Sequence, residues 1–507
     1  MINGKPLAAE FGTTGDGAWT WQDGGSAEIT DRKVSLELAD QTGFNGRCDA
    51  ICFSTDKAFA PPAKPDVGMR QWRRKLLGLP DTAPSAGQFD VVVVGGGLAG
   101  CSAAITASRL GCKVALVQNR PVFGGNNSPE IGIHLGGWGK MGPFVTREIA
   151  ANGNFGPMER QRQHVLDAEK NLAQFAGWHV FAATKDGDRI ASVTAVNIYT
   201  NRELGFAAPV FIDCTGDGWV GYYAGADFRH GQEARGEHNE PLAPEQAVRK
   251  TLGSTLIWNS RPGTNPAPFP GVPWAEAVSR GVSATSGNWT WEYGHYRDTI
   301  WEAEEIRDHL LRAIYGSFAT AKRVGKAGLA KQELAQVNYI VGKRESRRLL
   351  GDYIMTQADC WDNTEKPDKV ARTNNPFDLH TPTKDCEFRI TVEGPGLSKR
   401  KDYDIPFRSL YSRNVANLMM AGRCISVTRI AHSSTRVQQT GGQTGVAVGA
   451  AAFLCRKHNA TPRAVGKDHI AELQDIVFGK GDYTNALKRE PATAAGAATR
   501  TAGGPKP

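Results

Sequence analysis

The chain has no uninterrupted run of about 18 uncharged apolar residues, the length a membrane-spanning helix requires. Its nearest approach, Leu98 to Val117, is broken by Arg109 and Lys113, so no membrane span is expected. A Gly-x-Ser-x-Gly nucleophile elbow and a Walker loop are both missing, which removes support for serine hydrolase and P-loop chemistry. The nine cysteines are odd in number and scattered, so they outline no disulfide framework. Cys48 and Cys52 lack a second cysteine pair or a nearby histidine, which argues against zinc there. Buried free thiols are the expectation, and they suit a reducing compartment. The N-terminus also lacks the basic, apolar and small-residue succession of a secretory leader, so a cytoplasmic location is expected.

A basic binding face is missing too. The net charge is +8, but residues 62–88 and the tail from Asn485 each carry +3 of it. The remaining body is nearly balanced, so no nucleic-acid partner is expected. Hydrophobic residues at 40% and charged residues at 22% describe a soluble globular chain. At 507 residues it should divide into two to four structural units.

Residues 1–60 read as an accessory β unit. Trp19-Thr20-Trp21 alternates, a turn follows at Gly24, and Lys33 to Leu38 alternates again. Residues 61–87, with Pro61, Pro62, Pro65, Pro80 and Pro84 among basic side chains, read as a linker. The pattern changes at Asp90. Val91 to Val94 is a buried strand, an Ala-rich helix runs from about Leu98 to Leu110, and Lys113 to Val117 is a second strand. Together they form a βαβ unit.

Between strand and helix stands Gly95-Gly96-Gly97-Leu98-Ala99-Gly100. In a dinucleotide-binding turn, Gly95 permits the sharp bend, Gly97 lets a pyrophosphate approach the backbone, and Gly100 lets the helix pack on the strand. A second match to the glycine spacing, Gly137 to Gly142, is followed by Pro143 and has no strand–helix context, so a loop is expected there. The second strand should end in an acid that holds ribose hydroxyls, but here it ends in the neutral Gln118, followed by Asn119.

Farther along, 145–175 looks helical, and Val193–Ile198 and Pro209–Asp213 look like strands. The stretch 240–300 has no clear period and reads as a covering lobe. Glu302 to Lys322 is an amphipathic helix with acids early and bases late. Leu418 to Ala421 is a buried strand, and Gly441 to Leu454 a second Gly/Ala-rich helix. From about Pro491 the composition is of low complexity, so a disordered tail is expected.

The segment Gln118-Asn119-Arg120-Pro121-Val122-Phe123-Gly124-Gly125-Asn126-Asn127-Ser128 resembles the post-strand segment of a bacterial FAD-dependent oxidoreductase family. That family belongs to the glutathione-reductase-like flavoproteins, with the fumarate reductase flavoproteins as relatives. Further matches are Asp213 to Gly218, Gly342 to Arg348, Tyr403 to Leu410, Asn417 to Ser426, Ser434 to Val437 and Gly441 to Ala452. The resemblance covers about 88–460. It implies an α/β fold whose Rossmann-like FAD domain is assembled from 88–235 and 401–460. Residues 236–400 would then be an inserted substrate lobe and 461–507 a C-terminal extension.

FAD is the implied cofactor. Its implied contacts are Gly95, Gly97, Gly100, Gln118, Asn119, Arg120, Gly124, Gly125, Asn126, Asn127, Ser128, Gly216, Asp217, Gly422, Arg423, Arg436, Gln443, Thr444 and Gly445. The implied reaction is hydride transfer between flavin N5 and a small molecule, with a separate electron acceptor or donor. A helix opening at Gly441 would stabilise the negative charge of reduced flavin. His432, between the Gly422 turn and that helix, and His134 are the candidate proton-transfer groups, and Arg344 and Glu345 are candidate contacts. Relatives with aromatic accessory modules like Trp19, Trp21, Phe44, Asn45 and Arg47 resemble carbohydrate-degradation proteins, which suggests a sugar or polyol substrate. The alternatives are reduction of an activated C=C bond and a degenerate flavoprotein that serves as a binding module. Homo-oligomerisation stays open.

Overall fold

The computed structural model describes residues 1–13, 19–41, 47–63, 66–137, 144–150, 155–363, 365–384, 386–393, 402–481 and 483–488. They form two compact units, Met1–Ala83 and Pro84–Pro507.

In the first unit, β pairing among the described residues is confined to two bridges, Ile2 with Leu36 and Ile2 with Lys5. Lys33 to Leu38 stay exposed. Their alternation has no apolar layer to face, and a two-stranded pairing without one is marginal in water. The Pro-rich basic segment is more ordered than its composition suggests. Val67–Leu76 is a helix whose first turn is capped by Asp66, and Arg73, Arg74 and Lys75 sit in the last turn, where the helix dipole favours cations.

The second unit is built on a five-stranded, fully parallel sheet. We label its strands β1 (Val91–Val94), β2 (Val114–Gln118), β3 (Leu172–Ala176), β4 (Val210–Asp213) and β5 (Leu418–Met420). Their spatial order is β5-β4-β1-β2-β3. β1, β2, β4 and β5 are buried along their whole length, which explains their near-continuous apolar runs. β3 is an edge strand of intermediate burial. Its short Leu-Ala-Gln-Phe-Ala run follows helices Phe144–Ile149 and Phe155–Asp167, which is why 145–175 reads as helical throughout. The residues that close the Gly137–Gly142 match lie outside the described set.

Helix α1 (Leu98–Arg109) crosses from β1 to β2. It packs against a later helix that starts at Gln438, three residues ahead of the sequence expectation, and runs to His458. Glycine permits that close approach: a Cβ on Gly445 would lie 2.1 Å from the Ala99 carbonyl oxygen, and one on Gly449 2.4 Å from that of Ala103. Ser85–Gln88, Glu203–Ala207, Arg189–Asn197 and Trp178–Asp186 form a second, mixed sheet in that order.

The region 240–340 has a core of its own. Helix α2 (Ala303–Gly325) buries Ile306, Leu310, Ile314 and Phe318 against Trp258, Trp291 and Phe388. Short antiparallel strands complete it, among them Trp258–Pro262 paired with Gln332–Val337.

Candidate functional site

The glycine turn is where backbone geometry is most demanding. Gly95 has φ +100°, and a Cβ there would lie 2.2 Å from the Cys214 carbonyl oxygen, so it tolerates only glycine. A Cβ on Gly100 would lie 1.7 Å from the Gly95 oxygen. Gly97 differs: its Cβ would meet only Gly125 Cα, at 3.9 Å. Nothing in the protein's own packing requires glycine at 97. The residue also starts α1, whose N-terminus has no side-chain cap. An open approach to uncapped helix N–H groups fits a diphosphate.

The segment after β2 folds back onto this turn. Gly124 donates its N–H to the Gly96 carbonyl at 2.7 Å and bridges Gly97. Gln118 is nearly buried, and its Oε1 accepts from the Gly96 N–H at 2.8 Å while its Nε2 donates to the Val122 carbonyl at 3.2 Å. Its side chain thus joins the turn to the 118–124 segment. Asn119 is exposed. Arg120 pairs with Glu130 at 2.7 Å and donates to Tyr339 Oη at 3.3 Å. Gly125 sits opposite Gly97, Ser128 is buried, and Asn126 Nδ2 donates to the Lys343 carbonyl at 2.9 Å.

Asn127 reveals a residue that the sequence reading missed. Its Oδ1 accepts from Arg162 Nη2 at 2.9 Å, and Arg162 also donates to the carbonyls of Phe123 at 2.8 Å and Ile149 at 3.2 Å. Arg162 is fully buried, and no carboxylate pairs with it among the described residues. Burial lowers its pKa, with partial compensation from Cys101 and Glu159. It stands in an amphipathic helix amid other polar residues, so no local signal marked it.

A second junction forms at the ends of β4 and β5. Asp213 Oδ1 accepts from the N–H and hydroxyl of Thr215, which shapes the Thr215-Gly216-Asp217-Gly218 turn. Asp217 accepts from Lys343 at 2.7 Å and Ser346 at 2.8 Å and pairs with Arg423 at 3.4 Å. Burial would raise its pKa, but Lys343 and Arg423 bring it down to about 2. The Gly422 turn and the late helix meet here: Gly422 N–H donates to Thr444 Oγ1 at 3.1 Å, and Gly441 packs on Gly422. Both also face Ala99 of α1. Three glycine junctions distant in sequence therefore converge. Thr444 and Gly445 serve that convergence through packing, and Gln443 Oε1 accepts from the Arg372 N–H at 3.3 Å.

Helix α3 (Arg429–Thr435) links the Gly422 turn to helix α4 (Gln438–His458). His432, fully buried, points Nε2 at the Arg344 carbonyl at 3.0 Å. That carbonyl can only accept, so Nε2 carries the proton and Nδ1 is a bare acceptor. Burial, with Arg348, Arg436 and Arg423, holds the imidazole well below its usual pKa, so His432 is neutral.

Arg344 and Glu345 are buried in ionic networks. Arg344 donates to Thr255 Oγ1 at 2.6 Å and the Trp289 carbonyl at 2.7 Å and pairs with Glu292 at 3.1 Å. Glu345 accepts from the Leu252 N–H at 2.8 Å and pairs with Arg348 and Arg429. Burial raises its carboxyl, against the pull of those two arginines. The structure thus makes Arg344 a backbone partner of His432, with its guanidinium engaged elsewhere.

Arg436 pairs with Asp378 at 2.6 Å. Asp378 lies 3.0 Å from His380 Nε2, and His380 Nδ1 lies 2.5 Å from Glu292. This histidine–carboxylate chain joins residues 292, 378 and 436, and no sequence spacing announces it. His134 is exposed, and its backbone carbonyl accepts from Gln438 Nε2 at 3.4 Å beside the start of α4.

Several buried polar atoms lack partners among the described residues around this convergence: His432 Nδ1, Arg423 Nη1, Arg436 Nε and Gln438 Oε1. Leaving such groups unmatched costs about 1–3 kcal/mol each. A polar ligand with both donors and acceptors meets that need. With the open Gly97 turn, the parallel sheet and the glycine junctions, the site defines a dinucleotide-binding redox protein with a Rossmann-like domain.

The chain belongs to the FAD dependent oxidoreductase family, whose model matches residues 90–477. It is an FAD-dependent oxidoreductase, and FAD is its cofactor. Among solved structures it is similar to a geranylgeranyl bacteriochlorophyll reductase-like protein from Thermoplasma acidophilum. That match has 13% identity and a TM-score of 0.33, and covers 79% of this chain and 86% of the other. It is also similar to the OxyS anhydrotetracycline hydroxylase from Streptomyces rimosus, at 12% identity and a TM-score of 0.34, covering 78% and 67%. No helix among the described residues is long and apolar enough to cross a membrane.

Proposed function

We propose that the protein oxidises a hydroxyl-bearing carbon of a small polar molecule, a sugar or polyol, with His432 accepting the hydroxyl proton. The observation that carries this reading is the unpartnered Nδ1 of His432, held in one tautomer by the Arg344 carbonyl. Bound FAD would supply the two-electron chemistry. The Gly95–Ala99 turn and the start of α1 would hold its diphosphate, with 118–128 beside them. Gly422, Arg423 and the start of α4 would flank its redox end. A proton placed on His432 leaves readily, because burial and the neighbouring arginines disfavour the cation.

Arg423 Nη1 and Arg436 Nε support a second reading, reduction of a C=C bond activated by a carboxylate. Buried guanidinium N–H groups without partners among the described residues suit an anion.

Anaerobic flavin bleaching with a panel of sugars, polyols and carboxylates tests both readings. Bleaching by a hydroxylated substrate, slowed about 10²-fold in His432→Gln with FAD content unchanged, is the expected result. If no hydroxylated compound bleaches the flavin, yet dithionite-reduced protein is reoxidised by an unsaturated carboxylate, the second reading replaces the first. Unchanged bleaching in His432→Gln removes His432 from the chemistry.

A further inference from the structure

At the far end of α4 lies a cluster that the redox site does not use. His458 is the last residue of α4, and Asn459 caps it in the left-handed conformation. The chain turns through α5 (Pro462–Asp468) and enters α6 (Ile470–Val477), whose N-cap is His469. His469 and Glu472, three residues apart, share a helix face, and the turn presses that face against His458. The imidazoles of His458 and His469 lie parallel, with ring centroids 3.8 Å apart and planes inclined by 7°. One donor atom from each of His458, His469 and Glu472 lies within 4.8 Å of the others.

The carboxylate is oriented for a ligand role. Glu472 Oε1 accepts from Lys457 Nζ at 2.6 Å and Tyr483 Oη at 2.7 Å, and Oε2 faces His458 Nε2 at 2.8 Å. Hydrogen bonds on the outer oxygen that leave the inner one facing the His458 ring are the usual support for a metal-binding carboxylate. Among the described residues the His469 ring makes no hydrogen bond and stacks on the other imidazole.

We propose that His458, His469 and Glu472 form a binding site for a divalent transition metal of the zinc class, separate from the redox centre. Two imidazoles and one carboxylate match the nitrogen–oxygen ligand sets such ions take, with a water in the fourth position. Tetrahedral ligands about 2.0–2.1 Å from zinc stand about 3.3 Å apart, so the donor atoms adjust their spacing and the two rings tilt toward a common point. The bound ion would clip α6 to the end of α4, a helix whose other end borders the redox site.

The test is zinc titration by calorimetry on chelator-stripped, FAD-loaded, full-length protein carrying Cys48→Ser and Cys52→Ser, which removes the two exposed thiols. The expected result is one saturable equivalent of zinc and a rise in thermal midpoint on binding. His469→Asn should weaken binding by about 100-fold with FAD content intact, and Tyr483→Phe by about tenfold through the freed carboxylate oxygen. Glu472→Gln serves as a second ligand variant should His469→Asn lose its fold. Absence of saturable binding, or unchanged affinity in a folded ligand variant, overturns the proposal.

Discussion

The backbone N–H of Gly96 donates to the side-chain oxygen of Gln118 at 2.8 Å, inside the turn that would receive the diphosphate. The amide of Gln118 is spent on the protein itself, since its nitrogen also donates to the Val122 carbonyl. Gln118→Glu would keep the acceptor for Gly96 but set a second oxygen against the Val122 carbonyl oxygen. The expected outcome is a loss of about 1–3 kcal/mol in stability, read by denaturant unfolding of the apoprotein. Unchanged stability with tighter FAD binding would instead assign this position to the ribose.

The glycines of the turn should separate in a variant series. Gly95→Ala places a Cβ 2.2 Å from the Cys214 carbonyl oxygen at a positive φ, so soluble, folded protein should fall sharply. Gly97→Val sets its Cβ 3.9 Å from Gly125 Cα, an ordinary contact, so it should fold with near-normal circular dichroism and yet purify colourless. Full flavin absorbance in Gly97→Val would place the diphosphate elsewhere.

Arg162 carries a buried charge behind the same turn and holds the carbonyls of Phe123 and Ile149 together with Asn127. Arg162→Gln should release the 123–127 loop and weaken FAD binding by about tenfold to a hundredfold. That is the scale of the roughly 1.5–3 kcal/mol assigned to a hydrogen bond from a charged donor. Fluorescence titration of the apoprotein with FAD reads it directly, and Asn119→Ala, at an exposed position, serves as the comparison. Equal affinity in wild type and Arg162→Gln would make this cation a purely structural filler.

Acid should destabilise the protein in two stages. His432 is held well below its usual pKa, and burial with Arg312, Arg297 and Arg280 lowers His309 to about 4. The unfolded chain, with histidines near 6.5, binds more protons below that pH, so their contribution is complete above about pH 6.5 and is lost as pH falls below it. Asp217 and Asp378, both brought to about 2, contribute fully above about pH 4 and lose that contribution toward pH 2. The buried carboxyls of Asp213, Glu240 and Glu345 are raised and act in the opposite sense. A difference measurement therefore isolates the histidine stage: His309→Gln should lose less stability than wild type between pH 6.5 and 4. Parallel profiles would contradict the assignment.

Much of the scaffold was legible because its signals are local. Val91 to Val94, the glycine turn and the Ala-rich helix lie in one contiguous stretch, and each obeys a short-range rule: unbroken apolar character for a strand buried on both faces, and glycine where the backbone bends or is crowded. The strands at Val210 and Leu418 carry the same mark. β3 was hidden because an edge strand of intermediate burial need not be uniformly apolar, and Leu172–Ala176 follows two genuine helices. The segment around Val67 illustrates the reverse case. Its prolines suggested a linker, but between Asp66 and Leu77 no proline intervenes, and a capped helix forms.

The sequence by itself determined the dinucleotide-binding turn, the parallel-sheet strands and the helices that flank them, since those depend on neighbours a few residues away. Tertiary structure alone decided what the polar residues do. It turned Gln118 onto Gly96, set Arg162 behind Asn127, tied Arg344 to Glu292 and joined Asp378, His380 and Glu292 across nearly ninety residues of chain. It also left His432 neutral, with one nitrogen unpartnered among the described residues. The physical reason is that the strength of a charge or a hydrogen bond is set by burial and by the groups that share the same dry space, and which groups share it is known only once the chain has folded.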